Sequence, residues 1–113
     1  MVIDFNKIEE VAHPQFKGGE GETWFRMFND ETHKVMRGRL EPGCSIGFHR
    51  HESNSEVIFI LSGSARCLYD DGEERLGAGE CHYCPCGHAH SLINASATEP
   101  LTFFAIVPEQ TSK

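Results

Sequence analysis

The sequence is short of basic residues and of long apolar runs. It has 10 Lys and Arg residues against 17 Asp and Glu residues, which gives a formal net charge of -7. Nucleic acids and anionic membranes are bound through clustered basic residues, so this balance argues against both as partners. No apolar run approaches the ~18 residues of a membrane-spanning helix. The first residues do not combine a basic stretch with an apolar one, as a signal peptide does, and we expect a cytoplasmic protein.

The chain is also too short to bury a large core. Its 113 residues fit one domain, and a domain of this size removes only part of its apolar surface from water. A second copy that covered an apolar sheet face would add to the buried surface. We therefore expect a homodimer.

Cysteine is present in an odd number, five, which disfavours a disulfide framework. Cys81, Cys84 and Cys86 lie close together with His82 and His88 nearby, a spacing that could suggest a zinc site. Cys81 and Cys84 have opposite parity on an extended strand, however, and therefore face opposite ways. Because cysteine is also a common small buried residue, free thiols are the favoured interpretation.

The strongest chemical signal is a group of histidines and one glutamate. His49 and His51 are two residues apart, so on a strand both imidazoles lie on the same face. Glu56 follows after a short turn, and His90 comes later in the chain. Together they form a mixed nitrogen and oxygen donor set. Such a set suits Fe(II), Mn(II), Ni(II), Cu(II) or Zn(II), and we expect one divalent transition metal per chain.

These four residues lie in two runs with regular spacing. Residues 43–63 read Gly-x5-His-x-His-x4-Glu-x6-Gly, and residues 79–94 read Gly-x5-Pro-x-Gly-x2-His-x3-Asn. The two runs resemble the two signature motifs of the cupin superfamily at every defining position. The resemblance implies an all-β fold, a single double-stranded β-helix (jelly-roll) barrel. It also implies a metal held inside the barrel by His49, His51, Glu56 and His90.

The rest of the chain fits one such barrel. We predict an N-terminal arm over residues 1–22, the barrel over residues 23–108 and a polar tail over residues 109–113. The strand over residues 56–61 is apolar on both faces, which predicts burial on both sides.

Six further residues are candidates for a ligand pocket beside the metal: Gly47, Ile58, Ile60, Tyr83, His88 and Phe104. Gly47 would leave space close to the metal, and Ile58 and Ile60 share the face of Glu56, where they would form an apolar wall. An isomerase or lyase also needs a proton-transfer group besides the metal ligands. The sequence offers five candidates for it: Cys67, Glu80, His82, Tyr83 and His88.

The resemblance does not identify a reaction, because cupins include dioxygenases, isomerases, lyases, storage proteins and sensor domains. The first hypothesis is a metal-dependent enzyme that acts on a small oxygen-rich metabolite, as a dioxygenase or as an isomerase or lyase. The alternative is a module that binds a small molecule of the sugar type, or senses one, without turnover. A third is a structural barrel with an adventitious ion.

Overall fold

Two antiparallel sheets form the molecule. We describe residues 1–110 of a computed structural model, in which ten strands and two short 3-10 turns are present. The turns are Phe5–Lys7 and Phe16–Gly18. The strands are β1 Val11–Pro14, β2 Glu22–Asn29, β3 His33–Leu40, β4 His49–Arg50, β5 Glu56–Ser62, β6 Ser64–Tyr69, β7 Gly72–Gly77, β8 Cys81–Cys84, β9 Ala89–Asn94 and β10 Leu101–Pro108.

The larger sheet has the strand order β1-β2-β3-β10-β5-β8, and the smaller one has the order β4-β9-β6-β7. Consecutive strands often lie in different sheets, as in a jelly roll, and the all-β barrel prediction is confirmed. Among the described residues, no helix is long and apolar enough to cross a membrane.

The ends of the chain take part in the sheets. Within the predicted arm, β1 pairs with β2 in the register Val11 to Phe25. Within the predicted tail, Glu109 forms a bridge with Asn54. Residues 111–113 lie outside the described part.

The core lies between the sheets and follows the alternation of the strands. Inward positions of β10 and β5, such as Leu101, Phe103, Ile58 and Ile60, are almost fully buried. Each side chain faces the other sheet because successive residues of a strand point to opposite sides. This burial supplies the hydrophobic contribution to stability.

The outer face of β5 corrects the prediction that this strand is buried on both sides. Phe59 and Leu61 are 40% and 41% exposed, since no element of the described chain covers this face of the larger sheet. Tyr83 of the neighbouring β8 is exposed beside them. The homodimer stays a prediction, which light scattering in solution would test.

Gly38 sits where two aromatic rings meet in the core. In register it lies between Phe25 of β2 and Phe103 of β10, whose rings pack edge to face with centroids 6.2 Å apart. A Cβ atom at Gly38 would lie 2.2 Å from Cζ of Phe103, which is far inside van der Waals contact. The packing of Phe25 against Phe103 therefore requires a glycine, which has no side chain, at position 38 of β3.

We predict that Gly38→Ala lowers the free energy of unfolding by about 1–3 kcal/mol, because the added methyl group overpacks the core. Urea denaturation of the metal-free protein measures this without a contribution from metal binding. Gly77→Ala in β7 is the matched control, since its Cβ would have no neighbour closer than 3.8 Å. Equal stability of Gly38→Ala and wild type would contradict the packing described here.

Candidate metal centre

The four predicted metal ligands come together in the fold. His49 of β4 lies directly opposite His90 of β9, and Glu56 is the first residue of β5. Nε2 of His51 lies 3.2 Å from Nε2 of His49, 3.0 Å from Nε2 of His90 and 3.1 Å from Oε1 of Glu56. All four donor atoms lie within 4.8 Å of one another. The sequence prediction that these residues share one site agrees with this geometry.

The carboxylate and one imidazole are in the protonation states that a metal requires. Burial raises the pKa of Glu56, but hydrogen bonds from His51 and His90 outweigh it and lower that pKa to about 2. Burial lowers the pKa of His49 to about 4. Near neutral pH, Glu56 is therefore ionised and His49 is neutral. Metal ligands must be deprotonated in this way before they bind.

Hydrogen bonds at Nδ1 fix which ring nitrogen of His49 faces the centre. Nδ1 of His49 lies 2.7 Å from the carbonyl oxygen of Gly47. A carbonyl oxygen can only accept a hydrogen bond, so Nδ1 carries the proton and Nε2 is left bare. A second bond of this kind orients each histidine that binds a metal in many proteins.

The ring of His51 is oriented by a hydrogen bond to Asn54, which is itself held by Glu109. Its Nδ1 lies 2.5 Å from Oδ1 of Asn54, while Nδ2 of Asn54 donates to Oε1 of Glu109 at 3.0 Å. The carboxylate of Glu109 accepts only, so the amide nitrogen of Asn54 must face it and the amide oxygen must face His51. The neutral ring of His51 is therefore also protonated at Nδ1 and bare at Nε2.

His90 is fixed through a buried histidine. Nδ1 of His90 lies 3.1 Å from Nε2 of His82, and Nδ1 of His82 lies 2.8 Å from Oε1 of Glu74. Burial lowers the pKa of His82 more than the hydrogen bond to Glu74 raises it, so the ring is neutral near pH 7. Since Glu74 can only accept, His82 is protonated at Nδ1, and its bare Nε2 accepts the Nδ1 proton of His90.

When all three rings are neutral, these bonds leave three bare nitrogens facing one another. Lone pairs 3.0–3.2 Å apart repel each other unless a metal ion lies between them or a proton on Nε2 of His51 or His90 is donated to Glu56. Metal–nitrogen bonds of about 2.1 Å would separate adjacent ligand atoms by about 3.0 Å at a right angle and about 3.4 Å at a tetrahedral angle. The donor type and the donor spacing therefore both fit a bound transition metal.

A second possible donor group shares one residue with the first. Cys67, His82 and His90 are all buried and also lie within 4.8 Å of one another. Burial raises the pKa of the Cys67 thiol to about 12, so it is protonated and is a poor ligand. Each of the five cysteines is free, as predicted, and the strand does place Cys81 outside and Cys84 inside.

A cavity of about 260 Å³ is lined by three of the four donors, His49, His51 and Glu56. Part of its wall is apolar, formed by Phe16, Phe25, Met27, Met36, Ile46 and Val107. Three cationic side chains also line it: Lys17, Lys34 and Arg50. Besides Glu56, the one carboxylate among the described lining residues is Glu52. The wall therefore carries more positive than negative charge in a chain whose net charge is negative.

The six predicted pocket residues are not among those that line this cavity. Ile58 and Ile60 point inward but belong to the packed core. At Gly47, space is not open, because a Cβ would lie 2.0 Å from the carbonyl oxygen of Lys17. Gly47 instead orients His49 through its own carbonyl group.

The other three candidates lie elsewhere. Tyr83 is 54% exposed on the outer face, and Phe104 packs against the ring of Phe5 with centroids 5.8 Å apart. His88 is partly exposed and bonds to Asp70 at 2.6 Å. The alternation of residues explains the first two, since the neighbours His82 and Phe103 take the inward positions.

Sequence reasoning missed the residues that orient the ligands and those that give the cavity wall its positive charge. Asn54, Glu74 and Glu109 form the bonds beyond the ligands, and Lys17 lies on the cavity wall. His82 was predicted only as a possible proton-transfer group. The available signal was its position two residues before Cys84, which places both side chains on the same, inward face of the strand.

Comparisons with known proteins agree with the fold. The model of the cupin domain family matches residues 36–107. An oxalate-binding protein of Thermotoga maritima is 28% identical over 114 residues, which cover 95% of this chain and 93% of the relative. The structure of a predicted oxalate decarboxylase of Thermotoga maritima has a TM-score of 0.89 and 25% identity, and covers 96% of this chain and 99% of that chain.

A sugar phosphate isomerase from a cupin superfamily, of Silicibacter pomeroyi, has a TM-score of 0.78. It is 21% identical, and the match covers 97% of this chain and 76% of that chain. At this identity the likeness shows the fold alone.

We predict that His82→Phe weakens metal binding about 10–100-fold, because His90 loses the acceptor that holds its ring and tautomer. Competition with a chromophoric chelator measures the affinity. His82→Gln should restore most of it, since an amide oxygen can accept from His90 while the amide nitrogen donates to Glu74. Tyr83→Phe, one residue further on the outer face, is the control. Unchanged affinity in His82→Phe would show that this chain of bonds does not support the centre.

Proposed function

Because this chain belongs to the cupin family, we propose that it binds one divalent transition metal and uses it to chelate a small carboxylate. The proposed ligands of the metal are His49, His51, Glu56 and His90. The observation that carries the proposal is the convergence of three bare Nε2 atoms and one ionised carboxylate beside a cavity. Four protein ligands leave open positions on an ion that accepts six, and the cavity gives a small molecule access to them.

The metal, the residues that orient its ligands and the apolar wall contribute to binding in different ways. The metal, when bound, supplies Lewis acidity and attracts anionic oxygen. The acceptors Gly47, Asn54 and His82 hold the three imidazoles in one orientation. The apolar wall excludes water and lowers the local dielectric constant, which strengthens the attraction between the centre and an anion.

A carboxylate is the ligand class that the surroundings favour. Two of the matches that align over nearly the whole chain, both from Thermotoga maritima, carry names that refer to oxalate. The cations that line the cavity supply positive charge in an otherwise acidic protein. Long-range steering of anions is weak at a net charge of -7, so capture depends on these local charges.

Turnover by a dioxygenase is the second candidate function. Such an enzyme needs little beyond the metal and an apolar wall, and this cavity supplies both. Isomerase or lyase chemistry would need a proton-transfer group, and none of the five predicted candidates lines the cavity, where Glu52 and Lys17 are among the groups besides the ligands that could fill this role. We keep the cytoplasmic location and the homodimer as predictions that accompany this proposal.

We predict that oxalate changes the absorption spectrum of the Co(II)-loaded protein, because it displaces water from the open positions of the ion. The titration is run at oxalate concentrations too low to strip the metal. His51→Ala should lose both the metal and the response, because it removes a ligand.

His33→Ala is the matched control, since His33 is exposed on β3 and belongs to neither donor group. It should retain both the metal and the response. A fully loaded wild-type protein that responds to neither oxalate nor azide would show that the ion is closed to ligands, and the proposed function would fail.

A further inference from the structure

The turn that carries Lys17 has an unusual backbone. Gln15 and Lys17 have φ angles of 48° and 56°, in the left-handed region that residues other than glycine seldom adopt. Such conformations persist when the surrounding structure holds them in place. The turn is therefore fixed by its contacts rather than by its own preference.

Those contacts are with the segment that leads to the metal ligands. The backbone N–H of Gly47 donates to the carbonyl oxygen of Phe16 at 3.0 Å. Gly47 lacks a Cβ, so the backbone of Lys17 can lie directly against it. Gly47 also accepts the hydrogen bond that orients His49. The position of Lys17 is thus tied to the position of a proposed ligand.

Within residues 1–110, no salt bridge involves Lys17, and its charge lies on the wall of the cavity beside the centre. Its ammonium group lies 5.5 Å from the centroid of the Phe16 ring, and the side chain lines the cavity. Arg50, by contrast, donates from its guanidinium to the carbonyl oxygen of Gly87.

We propose that Lys17 selects small organic dianions that chelate the metal through one end and present a second carboxylate to its ammonium group. This inference rests on the proposed function and goes further by naming the ligand class. Oxalate uses both carboxylates on one metal and leaves none for Lys17. The cavity of about 260 Å³ gives a longer dicarboxylate room to reach from the metal to Lys17, with its carbon chain against the apolar wall.

Lactate and malate form a matched pair for testing this selectivity. Both have the same 2-hydroxy carboxylate group for the metal, and malate adds one distal carboxylate. The ratio of their dissociation constants therefore isolates the distal group. We expect the Co(II)-loaded wild-type protein to bind malate about fivefold more tightly than lactate, the gain of one partly screened charge pair.

Three variants assign the selectivity to Lys17. Lys17→Gln should lose the preference for malate over lactate, whereas Lys17→Arg should keep the preference. Lys34→Gln is the matched control, because Lys34 is another exposed lysine on the same cavity wall. It should keep the preference, and all three variants should keep a full complement of metal.

The outcomes separate this inference from the proposed function. If wild type binds neither acid nor oxalate, the proposed function fails. If wild type binds both acids equally, or Lys17→Gln keeps the preference, the dianion inference is overturned while chelation stands. Equal loss of both acids in Lys17→Gln would also overturn it, since Lys17 would then act on the shape of the site. So would a loss of preference in Lys34→Gln as large as that in Lys17→Gln.

Discussion

The site depends on one constraint, which is that three imidazoles present bare nitrogens to the same point. Each Nε2 could relieve the repulsion by taking a proton, but the ring would then no longer be a metal ligand. Acceptors at the three Nδ1 atoms prevent the opposite tautomer: the Gly47 carbonyl, the Asn54 amide and the His82 ring. The centre is therefore preorganised for a cation, and the energy of folding holds these donors together.

The barrel supplies this constraint by bringing distant segments into register. His49 and His90 are paired across β4 and β9, while Glu56 enters from the other sheet at the start of β5. Asn54 is held by Glu109 and His82 by Glu74, so residues from the chain end and from β7 act on the same centre. A change in either glutamate would reach a metal ligand through one intermediate side chain, Asn54 or His82.

Sequence reasoning predicted the fold and the four donors because both follow from short-range patterns. The spacing of His49 and His51 sets their common face, and the two motifs place Glu56 and His90. The acceptors beyond the ligands could not be predicted, since Glu74 and Glu109 meet the site only through strand pairing. The cavity wall was also missed, because Lys17 reaches it through a left-handed turn. The parity of β5 was predicted correctly, but not that its outer face would be exposed.

X-ray absorption of the metal-loaded protein tests the central claim most directly, because it reports the atoms bound to the ion. We predict nitrogen and oxygen neighbours alone, with the multiple scattering of three imidazoles, at about 2.0–2.2 Å for zinc. A sulfur neighbour at about 2.3 Å would instead place the ion in the group of Cys67, His82 and His90. That result, or fewer than three imidazoles, would contradict the centre described here.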